Sequence, residues 1–103
     1  MTKELIIHPG EFIADELEAR GWTQKKFAEI IKKTPVEVNH LITGKRGINA
    51  DWAKRISLVF WTSAELRMKF QSKYDLQMLE NSKKELAIFS LIEKSVKKEL
   101  AFA

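Results

Sequence analysis

The side chains in this sequence with chemistry to offer are cations and amides rather than nucleophiles. Lys45 and Arg46 stand together between Gly44 and Gly47. Thr23, Gln24 and Lys25 form one polar group; Thr34, Asn39, His40 and Thr43 form another a short distance on. Cations of this kind neutralise phosphates, and a glutamine in the first turn of a helix can donate to a phosphate oxygen where the helix dipole adds attraction. An asparagine amide matches the donor and acceptor that adenine shows in the major groove. Each also has a plainer use: Asn39 can brace a turn, Gln24 can be an ordinary first-turn residue, and Lys45-Arg46 can be a solvated turn. Catalytic patterns are missing. No cysteine is present, which excludes disulfides, thiolate zinc sites and thiol nucleophiles. There is no glycine-rich phosphate loop and no Ser-His-Asp arrangement. His8 and His40 lack carboxylates at ligand spacing, so neither a metal nor another cofactor is expected, and no residue is assigned as catalytic.

The charge is unevenly placed. The net charge is +4 over 103 residues. Residues 1–20 set Lys3 and Arg20 against Glu4, Glu11, Asp15, Glu16 and Glu18, whereas residues 21–55 carry eight basic residues against Glu29, Glu37 and Asp51. A basic middle beside an acidic start fits two partners of opposite sign, or else a solvated surface with chance clustering. With 45% hydrophobic and 31% charged residues the composition is that of an ordinary globular domain. No apolar run is long enough to span a membrane, and residues 1–7 are too short in apolar stretch for a signal peptide, so a cytoplasmic protein is expected.

The elements that must position these groups read as short helices. His8-Pro9-Gly10-Glu11 marks a helix start, and Gly21 its end. Within it Ile13, Ala14 and Leu17 form an apolar stripe, and Glu11, Asp15 and Glu18 an acidic one. Thr23 caps a second helix, Gln24 to Lys32, with Phe27, Ala28, Ile30 and Ile31 as its apolar residues. Thr34 caps a third, with Pro35 at its first position and Val38, Leu41 and Ile42 inward, closed by Gly44. Asn49 or Asp51 opens a fourth, containing Trp52, Ala53 and Ile56. Ser63 caps a fifth with Leu66, Met68 and Phe70 inside. Residues 76–103 contain no glycine or proline, and Leu79, Leu86, Phe89, Ile92, Val96 and Leu100 recur as one helical stripe. This stripe is expected to be buried against its own core, a second subunit or another protein. The three tryptophans, Trp22, Trp52 and Trp61, read as packing residues.

Two short capped helices joined by about three residues have the spacing of a helix-turn-helix. Val38, Leu41 and Ile42 would hold the third helix to the core, leaving Val36, Glu37, Asn39, His40 and Thr43 outward or near its ends. Glu37 there would repel phosphate and could at best accept from a cytosine amino group.

Three runs carry a family resemblance: Ile7-His8-Pro9-Gly10-Glu11-Phe12-Ile13, then Thr23 to Ala28, then Val38-Asn39-His40-Leu41-Ile42-Thr43-Gly44-Lys45-Arg46-Gly47-Ile48-Asn49-Ala50-Asp51. Thr62-Ser63-Ala64-Glu65, Gln71 and Tyr74-Asp75-Leu76 continue it. Over about residues 6–76 the chain resembles the HigA antitoxins, small regulators of the phage-repressor (Xre) helix-turn-helix class. The resemblance implies a five-helix DNA-binding domain, placed at 1–76; residues 77–103 lie beyond it and are read from their own periodicity as a long helical extension, so that the whole chain is expected to be all-α. The resemblance further implies a homodimer that binds operator DNA, represses its own operon and neutralises a HigB-like mRNA endonuclease toxin. DNA would then be met by Thr23, Gln24, Lys25, Thr34, Val36, Asn39, His40, Thr43, Lys45 and Arg46. The acidic stripe Glu11, Asp15 and Glu18 would face a basic toxin, or be a solvated face.

The chain departs from the pattern at several places. Lys32 and Lys33 stand where a glycine and a hydrophobic residue are usual, Pro35, Val36 and Glu37 open the third helix, and Trp61 and Arg67 replace a glycine and a tryptophan. The competing reading is a stand-alone phage-type repressor with no toxin. A pure protein-interaction module and a small enzyme fit less well.

Overall fold

The computed structural model describes residues 5–101. Residues 1–4 and 102–103, at the outer ends of the two expected segments, lie outside the described residues. Six helices follow one another: α1 (Pro9–Arg20), α2 (Gln24–Ile31), α3 (Pro35–Ile42), α4 (Ala50–Phe60), α5 (Ala64–Glu80) and α6 (Lys83–Ala101). No strand occurs among the described residues; Leu5-Ile6-Ile7 lead into α1 without regular structure. The all-α expectation holds, and the extension is a separate helix. The 76/77 boundary falls inside α5, which runs on to Glu80.

Each start in the five-helix body is set by a local cap. The His8 imidazole accepts from the Gly10 amide, with Pro9 in the first turn. Thr23, Asn49 and Ser63 accept from the amides of Lys26, Trp52 and Leu66. Three helices close on a left-handed residue. Only the first is a glycine, Gly21; Lys32 (φ 61°) and Trp61 (φ 58°) take the same conformation with a side chain attached, at a cost of roughly 1–2 kcal/mol each.

The core gathers one face from each of these helices. Ile13 and Leu17 of α1, Phe27, Ala28 and Ile31 of α2, Val38 and Leu41 of α3, and Trp52, Ala53, Ile56 and Phe60 of α4 are buried together with Ile48. Phe60 stacks on Phe27 with ring centroids 5.5 Å apart. Gly10 is required at the α1–α3 crossing, because a Cβ there would run into the Leu41 carbonyl.

Two expectations about packing are corrected. Leu66 of α5 is exposed and Met68 and Phe70 only half-buried; the buried residues of that helix are Arg67 and Gln71. Arg67 packs its stem inside and donates through Nε to the Thr62 hydroxyl at 3.0 Å, with its guanidinium 5.9 Å from the Phe60 ring. Trp61 is 93% exposed. As the left-handed residue that ends α4, it is turned off the helix face that packs.

Candidate nucleic-acid interface

α2 and α3 pack on each other, and α3 also packs on α1. Val38 and Leu41 bury one side of α3 completely. At 100° per residue, Val36, Asn39, His40 and Thr43 share the opposite side. Val36 is exposed, as are Asn39 and Thr43, and His40 is half-buried. The groove-facing set expected from spacing is therefore brought together, with one exception. Glu37 belongs to the cap of its own helix: its carboxylate accepts from the Thr34 amide at 2.8 Å and hydroxyl at 3.1 Å, while the Glu37 amide donates back to Thr34 Oγ1 at 3.2 Å. This is a capping box. The hydrogen bond from the Thr34 amide, with weaker help from the hydroxyl, Lys33 and Arg46, holds the Glu37 carboxyl below its ordinary range. Reading Glu37 as a group facing bases or phosphates is corrected. The Thr34-x-x-Glu37 spacing is itself a signature of this cap and was available in the sequence.

Both threonines at the helix starts use their hydroxyls locally, Thr23 on Lys26 and Thr34 on Glu37. Thr43 does likewise, donating to the Asn39 carbonyl at 2.8 Å. Across the two helices Asn39 Nδ2 donates to Gln24 Oε1 at 3.2 Å. That bond uses one amide hydrogen of Asn39. Its other hydrogen and its Oδ1, the pair that adenine N7 and N6 require, take no further bond among the described residues. Bracing and reading are thus compatible at this residue. The Gln24 amide group is likewise left with its donors, at the N-terminus of α2. Lys25 is exposed beside it.

The two cations after α3 are held differently. Lys45 is exposed; Arg46 is half-buried, its guanidinium carbon 4.5 Å from the centroid of the Trp52 ring. The Lys33 ammonium lies 5.1 Å from the same centroid and 3.1 Å from Asp51. Asp51 also pairs with Arg55, whose other nitrogen donates to the Ile31 carbonyl at the end of α2. The fully buried Trp52 is thus a platform for two cations as well as a core residue. Arg46 Nε is buried without a hydrogen-bond partner, so the indole face substitutes for water there.

The backbone of this turn is braced from below. Both the Lys45 and Arg46 amides donate to the His40 carbonyl, at 2.8 and 3.1 Å. Gln71, buried on α5, accepts from the Ile48 amide at 2.7 Å and donates to Asp75 at 2.9 Å. Its amide lies so close to Gly47 that a Cβ there would come within 2.8 Å of it. The His8 ring meets Tyr74 edge-on at 4.7 Å. Burial lowers the His8 pKa from 6.5, against the opposing pull of Glu11, a backbone hydrogen bond at Arg46, and Asp75. Sequence reasoning assigned no positioning role to Trp52, Gln71 or Asp75, because nothing in their spacing links them to residues 45–47. The Gln71 and Tyr74-Asp75 motif was the available signal.

Glu11, Asp15 and Glu18 are all exposed along α1. Glu11 and Asp15 edge a depression of about 390 Å³ shared with Ile7, Phe12 and Ile42. Among the described residues no three His, Cys, Asp or Glu groups come together as a metal site, and no helix is long and apolar enough to cross a membrane.

Comparison with known proteins agrees with this geometry. The profile of the family described as "Helix-turn-helix" matches residues 13–64. The chain is similar to virulence-associated protein I of Dichelobacter nodosus, 34% identical over 83 residues that cover 80% of this chain and 77% of that protein. It is similar to a Pseudomonas aeruginosa protein solved in complex with its 28-bp operator DNA, at 37% identity and TM-score 0.69, covering 72% of this chain and 82% of the other. It is also similar to the Pseudomonas aeruginosa antitoxin HigA solved with the higBA promoter, at 31% identity and TM-score 0.67, covering 92% and 95%.

Proposed function

We propose that this chain, which belongs to the Xre-type helix-turn-helix family, is the antitoxin of a toxin–antitoxin module: a cytoplasmic homodimer that binds double-stranded operator DNA to repress its own operon, and that binds and neutralises a HigB-like mRNA endonuclease. It carries no catalytic role and needs no cofactor. The observation that carries the DNA half is the outward face of α3, with Asn39 braced by Gln24 and the Lys45-Arg46 turn directly after it. The likeness to a HigA antitoxin solved with its promoter supports the same reading.

The roles then divide. α3 enters the major groove, where Asn39 reads adenine and the Val36 side chain meets a thymine methyl. Thr23, Thr34 and Thr43 spend their hydroxyls on the helices and border the groove rather than read it. His40 stands at the edge of the same face. Gln24, Lys25, Lys45 and Arg46 contact phosphates and set the register. The exposed carboxylates Glu11, Asp15 and Glu18 meet the toxin, since a protein that binds RNA presents a positive surface.

Binding to the DNA upstream of its own gene, measured over a range of salt, tests the first half. Replacing Lys45 and Arg46 together by Ala lowers the magnitude of the salt slope by about 2 per subunit, about 4 for the dimer. An unchanged slope removes the turn from the interface. Footprinting places two half-sites about one helical turn, or a multiple of it, apart. Affinity capture of tagged protein from its own cells tests the second half. A stoichiometric small basic partner, lost on charge reversal at Glu11, Asp15 and Glu18, is the expected result. Recovery of the protein alone, with its gene neighbours expressed, overturns the toxin half and leaves a stand-alone repressor.

A further inference from the structure

His8 stands where three parts of the molecule meet: the start of α1, the turn after α3, and α5. Its Nδ1 accepts from the Gly10 amide at 2.9 Å. The ring also takes part in a hydrogen bond with the Arg46 backbone, one that favours the charged imidazole. An acceptor has that effect, so the Arg46 carbonyl receives a ring N–H. With Nδ1 already an acceptor, that N–H is on Nε2. A neutral imidazole offers one lone pair and one N–H, and here both are used.

The ring is confined as well as bonded. Tyr74 of α5 meets it edge-on, with centroids 4.7 Å apart. The Gly44 backbone lies against it: a Cβ added there would stand 3.8 Å from ring Cγ and Cδ2. Two carboxylates act on the ring, Glu11 from α1 and Asp75 from α5, and both favour its protonation; burial opposes them and prevails. From the turn it is the Arg46 backbone that meets the ring, since the guanidinium lies on Trp52.

The turn backbone is therefore anchored twice. The Lys45 and Arg46 amides are tied to the His40 carbonyl, within the helix-turn-helix itself. The Arg46 carbonyl is tied to a residue that precedes α1. The two cationic side chains leave this same backbone, so its position sets where their charges are presented.

We propose that His8 is the positioning residue of this turn: through Nε2 it sets where Lys45 and Arg46 meet DNA, and a second proton on the ring weakens operator binding. That proton goes to Nδ1, where it confronts the Gly10 amide, donor against donor. Turning the ring to escape gives up the Arg46 carbonyl. The inference rests on the DNA reading above and adds to it a residue outside the helix-turn-helix.

The two bonds separate by substitution, because an asparagine amide at this position reproduces Nδ1 and a glutamine amide Nε2. His8→Asn keeps the cap and releases the turn; His8→Gln keeps the turn and releases the cap. Affinity for the DNA upstream of the gene is measured by fluorescence anisotropy at pH 7.5 and pH 5, beside thermal melts and near-ultraviolet circular dichroism of each full chain. At pH 7.5 His8→Gln binds as the parent does. His8→Asn melts nearer the parent yet binds roughly three- to tenfold more weakly per subunit, the size of one hydrogen bond. At pH 5 the parent falls toward His8→Asn, and the ratio between the two variants holds. His40, on the outward face of α3, titrates in all three proteins and cancels from these ratios. In the parent at pH 7.5, ring nitrogen chemical shifts place the proton on Nε2. Three results overturn the proposal and leave the DNA reading standing: parent-like binding by His8→Asn, affinity that simply follows melting temperature across the three proteins, or a ring proton on Nδ1. If the folded parent does not bind this DNA at either pH, the proposal and the DNA reading fall together.

Discussion

The turn at residues 45–47 and the helix α6 are both surface segments rich in lysine and arginine, yet they are held in opposite ways. The turn is gripped from three sides: His40 takes its amides, Trp52 takes the Arg46 guanidinium, and Gln71 takes the Ile48 amide just beyond. α6 is attached through a two-residue link and buries nothing. Exposure alone therefore does not mark function in this molecule. The turn backbone and the Arg46 guanidinium are held by the packed helices, so on the proposed reading little ordering cost would remain for them on binding DNA. α6 offers an apolar face that is not buried among the described residues.

The contrast can be broken most severely at Trp52. Trp52→Ala removes a fully buried side chain and the Arg46 platform together. It costs about 3–5 kcal/mol of stability in urea titration and weakens DNA binding, whereas Trp52→Phe restores much of both by keeping an aromatic face. Retention of full stability in the Ala variant would mean that the platform is not part of the core. Next in size is Gln71→Ala, which leaves the buried Ile48 amide without its acceptor, for a loss of about 1–3 kcal/mol. Amide exchange at Ile48 is the direct readout, and unchanged protection there would remove Gln71 from the brace.

A smaller effect is read through pH. The His8 pKa lies below 6.5 in the folded chain, mainly through burial. The unfolded chain therefore takes up this proton first on acidification. The stability tied to the neutral imidazole, which caps α1, is complete above about pH 6.5 and is lost as pH falls below it. Thermal melts between pH 7.5 and pH 5 should show this slope in the parent and not in His8→Asn, where the amide keeps the cap without titrating. The smallest effect is on the other side of the comparison. Ile92→Asp, assayed at a dilution where no dimer forms, changes folding stability by no more than about 0.5 kcal/mol. A large loss at that dilution would show that α6 packs in its own chain.

How much of this was legible depends on the range of the interaction. The helix starts at Gln24, Pro35 and Ala64 follow from Thr23, Thr34 and Ser63, because a cap is a contact across two or three residues; the first follows from Pro9 and Glu11, and the fourth lies open between Asn49 and Asp51 until the Asn49 cap decides it. The inward set of α2 and α3 follows from period. Arg67 and Gln71 were not legible as the buried face of α5. Their polarity argues for solvent, and only the position of Thr62, Ile48 and Asp75 in space gives their polar atoms partners. The exposure of Trp61 was hidden for a related reason: its apolar bulk argues for the core, and its left-handed backbone directs it away.

By itself the sequence determined an all-helical chain, five capped helices with a helix-turn-helix at its centre, a helical extension, and the residues that share the outward face of α3. Those are matters of local geometry and periodicity, set by near neighbours along the chain. Only the tertiary structure decided that Asn39 rests on Gln24, that Trp52 and Gln71 hold the basic turn, and that α6 has no cover among the described residues. Hydrogen bonds spanning 15 and 23 residues and a guanidinium resting on an indole exist only once the helices have packed, because no local rule brings those groups within reach of each other.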